Sequence, residues 1–400
     1  MTYICLIDCD NFYASCEKLF HPQFRNKHLV VASGKGGIVI ARSKEAKAVG
    51  IPMGAAAFEY KSLFLKEDVI VRGTNFTLYR DIANRIRETV ATFNFSTFIY
   101  SIDEMFLQIP EEAYSPLLLE HILKKIKRWT GIDVSIGISK TKTLAKIATK
   151  LAKQLPSHRK ALLTDEDLNA HLNTFPAVDI WGIGRGSSKK LRESGVKSCR
   201  DLMNLNGPFL NKLLGVHGSR IKEELHGKNA YVFIQKDVDK SIQITRTFPS
   251  EIVCISTVSE IISSFIAEGC EKLRKINRQS PYLLIFLETS RFKKKKESIV
   301  KTFSLDEPSN YTPNFLQLKE IFFESLHDGD ILVKRAGICF SGLLSTEATQ
   351  KNLFFESKEK APDLMSHIDK INSKYGKQSI RFGSQSKSYK RNKPASAKYT

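Results

Sequence analysis

The stretch Phe98-Ile99-Tyr100-Ser101-Ile102-Asp103-Glu104-Met105-Phe106-Leu107-Gln108-Ile109 decides how this chain is read. Two vicinal carboxylates interrupt a run rich in β-branched and aromatic residues, which predicts a β-hairpin tipped with acid. The opening segment, Tyr3-Ile4-Cys5-Leu6-Ile7-Asp8, has the same design: an apolar strand delivers Asp8 at its end, and Asp10 follows at once. If the two strands lie side by side, Asp8, Asp103 and Glu104 converge at a sheet edge, where like charges repel unless a cation sits among them. Carboxylates with no His or Cys nearby favour magnesium or manganese, which keep waters and take further ligands from phosphates. That is the logic of a phosphoryl-transfer centre with two metal ions. By itself the Asp103-Glu104 pair also reads as a solvated turn; the pairing with Asp8 favours the metal site.

Composition points the same way. The 400 residues carry 62 Lys and Arg against 42 Asp and Glu, a formal charge of +20. Such a surface attracts phosphate backbones and releases their counterions, so a nucleic acid is the leading partner and an anionic membrane trails. The length suggests roughly two to four domains. The sequence has no run of about 18 apolar residues and no secretory signal, which predicts a cytoplasmic chain without a membrane partner. Seven cysteines with no Cys-x-x-Cys pair predict free thiols, not a disulfide framework or a zinc site.

Asp8-Cys9-Asp10-Asn11-Phe12-Tyr13-Ala14-Ser15-Cys16-Glu17, together with Ser101-Ile102-Asp103-Glu104, resembles the signature of the Y-family translesion DNA polymerases, UmuC type. The resemblance covers nearly the whole chain and is strongest in residues 1–155. It implies an α+β, multidomain right-hand polymerase. The expected parts are a palm (1–23 and 76–165), small fingers (24–75), a helix-hairpin-helix thumb (166–235), a linker (236–242), a βαββαβ little finger domain (243–345) and a C-terminal tail (346–400). It also implies two magnesium ions, replaceable by manganese, held by Asp8, Asp103, Glu104 and the backbone carbonyl of Cys9.

Along the chain, residues 12–20 have helical spacing and begin beside the acids. An aromatic pair on a first helical turn commonly belongs to a core; the resemblance makes Tyr13 a steric gate against ribonucleotides and puts Phe12 under the incoming sugar and base. The turn Gly34-Lys35-Gly36-Gly37 and the short helix near Arg42–Gly50 belong to the fingers. There the resemblance assigns Lys47 to the triphosphate and Ile38 to the roof over the nascent base pair, while Lys44 stands where some relatives carry tyrosine. Lys142, Lys146, Lys150 and Lys153 recur at three- and four-residue spacing. They form either a solvated helix face or, beside a metal site, a phosphate clamp. By resemblance Lys153 contacts the triphosphate and Lys146 touches primer or template.

Residues 178–191 place a Gly182-Ile183-Gly184 turn before a helix opening with Arg185, Lys189 and Lys190. Glycine lets backbone approach a phosphate closely, and helix N-terminal N–H groups with nearby cations neutralise it, whatever the base sequence. After the linker the order βαββαβ suggests a ferredoxin-like sandwich whose open face, bearing Lys and Arg, lies in a DNA groove. Arg291 and Lys293 sit at a hairpin tip that is either solvated or in contact with backbone. The last sixty or so residues lose periodicity and look like a tail with little core. Within it Gln350-Lys351-Asn352-Leu353-Phe354 resembles the bacterial sliding-clamp peptide, with Gln350, Leu353 and Phe354 as anchors.

The reading is a DNA-templated DNA polymerase of low fidelity, acting on primed template and dNTPs in DNA repair and the SOS response. A processed UmuD dimer and the RecA filament are partners implied by resemblance alone. A two-metal nuclease holding branched DNA, and a non-catalytic DNA-binding scaffold, are the rival readings.

Overall fold

The computed structural model describes residues 2–33, 37–154, 160–162, 165–233, 240–290, 293, 295–346 and 361–386. They fall into two compact units, one ending at Gln235 and the other beginning at Lys236.

The first unit opens with β1 (Thr2–Cys9) and α1 (Phe12–Leu19), followed by β2 (Leu29–Ala32), β3 (Val39–Arg42), α2 (Lys44–Ala48), α3 (Lys61–Lys66) and β4 (Ile70–Gly73). Strands β2 to β4 make a sheet of their own, ordered β3-β2-β4, over a small core that includes Val30, Val39, Ile51 and Phe64. The chain returns through α4 (Phe76–Ala91) to β5 (Ser96–Ile99), β6 (Glu104–Pro110), α5 (Pro116–Thr130), β7 (Val134–Ser139), α6 (Lys142–Ala152) and β8 (Lys160–Leu162). The main sheet runs β5-β6-β1-β7-β8. Its middle strand, β1, carries four consecutive buried residues, Ile4 to Ile7, because a strand covered on both faces needs a continuous apolar run. Helix α4 buries Leu78, Ile82, Ile86 and Val90, the stripe its spacing predicts.

Helix α6 lies unusually close to β7. A Cβ at Gly137 would come within 2.1 Å of the Thr149 nitrogen and 2.4 Å of the Ala145 carbonyl oxygen, so only glycine admits this approach. Helices α7 (Asp165–Thr174), α8 (Arg185–Glu193), α9 (Cys199–Asn204), α10 (Gly207–Leu214) and α11 (Val216–Leu225) follow. Their core, with Leu172, Leu191, Leu202 and Ile221, takes in Leu144 and Ile147 of α6.

The second unit contains β9 (Ser241–Ile252), α12 (Ile255–Lys275), β10 (Arg278–Glu288), β11 (Ser298–Ser309), α13 (Thr312–Phe323), β12 (Val333–Ser341), β13 (Leu344–Ser345) and α14 (Ala361–Tyr375). The expected βαββαβ order is present, with strands arranged β11-β10-β12-β9 and every pair antiparallel. The second and fourth strands are central, whereas a ferredoxin-like sheet centres on the first and third. The reason lies in burial: β10 and β12 carry Leu283, Ile285, Leu287, Ile338 and Phe340, all fully buried, and the edge strands are more exposed. The sheet face away from the helices is less basic than expected. Arg335 on it pairs with Glu288 at 2.8 Å and lies 4.9 Å from the Phe286 ring centroid.

The tail also differs from expectation in its described part. Helix α14 buries Met365 and is tied to α12 by a two-pronged pair between Arg274 and Asp369, at 2.6 and 2.9 Å. All seven cysteines are free. No helix among the described residues is long and apolar enough to cross a membrane.

Candidate active site

Strand register brings the acids together. β1 pairs antiparallel with β6 so that Asp8 lies directly opposite Glu104, and the Cys9 N–H donates to the Asp103 carbonyl at 2.9 Å. The turn before β6 is held from inside: the Ser101 hydroxyl donates to the Asp103 carboxylate at 2.6 Å and accepts from the Glu104 N–H at 3.1 Å. Asp10 accepts from the Ser135 hydroxyl at 2.9 Å, which fixes the strand-to-helix corner. Ser101 and Ser135 were not singled out from sequence. The Ser-x-Asp spacing of Ser101 is a signal for such a turn, whereas Ser135 becomes visible only through the pairing of β1 with β7.

Two lysines, one on α6 and one at its C-cap, answer the negative charge. Lys153 donates to Asp8 at 2.6 Å, and Lys146 to Glu104 at 2.8 Å. The Asp8 carboxyl is pushed up to about 6, first by burial, with Glu104 and Asp103 adding to the shift and Lys153 opposing it. The three carboxylates are adjacent but turned to different partners, so among the described residues no three acid, His or Cys side chains form a closed metal cage. A partly buried, all-oxygen donor set that already draws two ammonium groups fits a hard divalent cation.

The remaining side chains of α6 revise the expected stripe. Lys142 is buried with its ammonium on the Val232 carbonyl and 3.8 Å from the Phe233 ring centroid, and Lys150 pairs with Asp179 at 2.7 Å. Each lysine thus has its own acceptor within the fold, and the row is no free phosphate clamp. The Lys146 ammonium is enclosed, not presented toward a duplex.

Tyr13 is half-buried on the first turn of α1 and stacks on Tyr79. Phe12 is only 3% exposed and belongs to the core, so it backs Tyr13 instead of facing a nucleotide. Lys47 lies on exposed α2, its ammonium held below the ordinary lysine range by desolvation, then by Arg42 and Lys153, with Asp10 and Asp8 opposing. Those neighbours put it on the acid side of the unit. Ile38 is 36% exposed, just ahead of β3.

Gly182 has φ 92°, a left-handed conformation that favours glycine, and Gly184 is the N-cap of α8. Arg185 and Lys189 are exposed beyond it, and the Lys190 ammonium reaches the Leu213 carbonyl at 3.3 Å. In the second unit Lys293 pairs with Glu251 at 3.0 Å. Gly34 to Gly36, Arg291 and the anchors Gln350, Leu353 and Phe354 lie outside the described residues.

The sequence matches the impB/mucB/samB family over residues 7–150 and that family's C-terminal domain over residues 239–353. SamB of Salmonella typhimurium is 30% identical over 92% of this chain and 89% of its own. The chain belongs to the impB/mucB/samB family. UmuC of Salmonella typhimurium strain LT2 is 28% identical over 95% of this chain and 93% of its own. DNA polymerase IV of Listeria monocytogenes is 24% identical over 88% of this chain and 96% of its own. Among solved structures, a Y-family DNA polymerase chimera of Dbh and Dpo4 aligns with a TM-score of 0.69 at 19% identity, over 86% of this chain and 99% of that one. This member of the family therefore has the Y-family polymerase fold.

Proposed function

We propose that this chain is a DNA-directed DNA polymerase of translesion type that joins a deoxynucleotide to a primer at the Asp8–Glu104 end of the main sheet. The carrying observation is that, in a member of this family, Asp8 faces Glu104 across two paired strands and each carboxylate draws a lysine ammonium. Asp8, Asp103, Glu104 and the Cys9 carbonyl would hold two magnesium ions, or manganese in their place. When bound, these supply the charge that activates the primer 3′-hydroxyl and stabilises the departing pyrophosphate.

The chain's own groups do the rest. Ser101 orients the Asp103 carboxylate, and Lys47 and Lys153 bind the triphosphate, Lys153 exchanging Asp8 for a phosphate oxygen. Tyr13 screens the sugar 2′ position, with Ile38 over the base pair. The Gly182–Gly184 turn with Arg185, Lys189 and Lys190 holds duplex backbone independently of sequence. Arg291 and Lys293 add backbone contacts. Residues 24–75 are a small module, too slight to test base-pair shape by tight closure, which supports low fidelity on damaged templates.

The resemblance extends the reading to a cytoplasmic SOS enzyme that meets the sliding clamp through Gln350, Leu353 and Phe354 and works with a processed UmuD dimer and the RecA filament. The deciding experiment incubates a primed template, undamaged or abasic, with magnesium. Lengthening that requires dNTPs supports the polymerase; shortening without dNTPs would instead mark a nuclease, and binding without turnover a scaffold.

A further inference from the structure

Lys146 is enclosed in a way Lys153 is not. Its side chain is 15% exposed against 38% for Lys153. Its ammonium lies 4.6 Å from the Tyr100 ring centroid, 5.5 Å from that of Trp181 and 5.9 Å from that of Phe106, while donating to Glu104 Oε1. Rings attract a cation through their faces, and the attraction strengthens as water is removed. The cation and rings together fix the carboxylate from one side. The box is braced in turn: the Trp181 indole N–H donates to the Tyr100 hydroxyl at 2.9 Å, and the Tyr100 and Ser101 N–H groups both donate to the Glu104 carbonyl at 3.1 Å. Trp181 also meets Tyr231 edge to face, with centroids 5.1 Å apart, and it immediately precedes Gly182. A turn that shifts on gripping a duplex would carry the indole with it.

We propose that Lys146 is a positioning residue for Glu104, and that Trp181 makes the setting of this carboxylate respond to duplex held at the Gly182–Gly184 turn. The proposal rests on the polymerase reading above. Lys153, exposed and with no ring against its ammonium among the described residues, is suited to leave its carboxylate for a phosphate; Lys146 is suited to stay.

The test uses the full chain. The chain has two tryptophans, so Trp129→Phe, at an exposed position, leaves Trp181 as the sole indole reporter. In that background Trp181 emission should change when duplex is added without metal and when Mn2+ is added without duplex. Lys146→Met should abolish the Mn2+ response and keep the duplex response. In single-nucleotide extension, Lys146→Met should raise the half-saturating Mg2+ concentration about tenfold, as loss of a ligand's outer partner does, with the dNTP KM within about twofold. Trp181→Ala should shift it the same way by about fivefold, and Lys146→Arg should recover most of the loss. Unchanged Mg2+ dependence in both Lys146→Met and Trp181→Ala overturns the proposal. So does a fall of about one in the salt slope of DNA affinity for Lys146→Met at unchanged Mg2+ dependence, the mark of a direct phosphate contact. A parent chain with no dNTP-dependent extension overturns the polymerase reading instead, and the emission response to Mn2+ still decides the link.

Discussion

Tyr13 lies flat against Tyr79, with ring centroids 4.4 Å apart and planes 15° from parallel. Tyr79 is fully buried, and its hydroxyl donates at 2.8 Å to Glu17, itself buried and in contact with Arg72. A side chain stacked on so fixed a ring has little room to yield, as the sugar-screening role proposed for Tyr13 requires. Tyr13→Ala is expected to raise ribonucleotide relative to deoxynucleotide incorporation by about 10- to 100-fold, a typical range for removing one steric contact. Tyr79→Leu should act in the same direction but less. The ratio of kcat/KM for UTP and dTTP measures both, and an unchanged ratio in Tyr13→Ala would remove the sugar-screening role.

The Asp103 carboxylate accepts from the Ser101 hydroxyl at 2.6 Å. Asp103→Asn, Asp8→Asn and Glu104→Gln should each lower kcat by about a thousandfold or more, since each removes an anionic oxygen from the set proposed to hold the metal ions. Ser101→Ala, which leaves every carboxylate in place, should cost about tenfold. Primer extension under single-turnover conditions gives these values. Full activity in Asp103→Asn would sink the assignment of the metal-holding set.

The raised Asp8 carboxyl gives a pH signature. Its value of about 6 in the fold, set chiefly by burial, exceeds the ordinary unfolded value near 4. Folding therefore takes up a proton between those two values, and this group's contribution to stability falls as pH rises through that window. Above about pH 6 the metal-free chain carries a deficit on the order of 1–3 kcal/mol that vanishes below about pH 4. Without metal, Asp8→Asn should melt above the parent at pH 7, with the gap closing toward pH 4. Mn2+ should reverse the order at pH 7 and have little effect at pH 5, where a proton competes for the carboxylate. A gap independent of pH would refute this account of Asp8.

Glu224 is buried in α11 and accepts from the backbone N–H groups of Thr143, Ala230 and Tyr231 at 2.9 to 3.1 Å. It joins the start of α6 to the end of the helical cluster. Glu224→Ala leaves all three donors without their acceptor and should destabilise the first unit by about 3–5 kcal/mol; Glu224→Gln, whose single oxygen can keep the Ala230 and Tyr231 donors but sets an NH2 against the Thr143 N–H, should cost less, about 1–3 kcal/mol. Urea unfolding followed by far-UV circular dichroism tests the order.

In the second unit, Asp369→Ala breaks the pair with Arg274 and should loosen α14 by about 1.5–3 kcal/mol. Limited proteolysis should then cut near α14 well before the parent is cut. Equal cleavage rates would show that the burial of Met365 holds the helix without the ion pair.

Much of this was legible in the chain itself. The four-residue apolar run of β1 announces a strand covered on both faces, and the acids at its end and at the tip of the following hairpin announce where charge gathers. The stripes of α4 and the glycines around Ile183 were equally plain, because local period and local backbone freedom are properties of neighbouring residues. The ordering of the second unit's sheet was not. βαββαβ specifies the elements, while the choice of β10 and β12 as central strands depends on which faces find helices to cover them.

The lysines of α6 divide the two kinds of knowledge most sharply. Their spacing, fixed by a 3.6-residue turn, shows that they share one side of a helix and nothing more. Whether a given ammonium meets a carboxylate, a carbonyl or a ring depends on residues far away in the chain: Asp8 for Lys153, Val232 for Lys142, and Glu104 with Trp181 for Lys146. Sequence by itself determined the strands, the helices and the gathering of acid, because each rests on short-range pattern. Only the tertiary structure decided which cation answers which charge, because that depends on packing at Gly137 and on strand register, which bring distant segments within hydrogen-bonding reach.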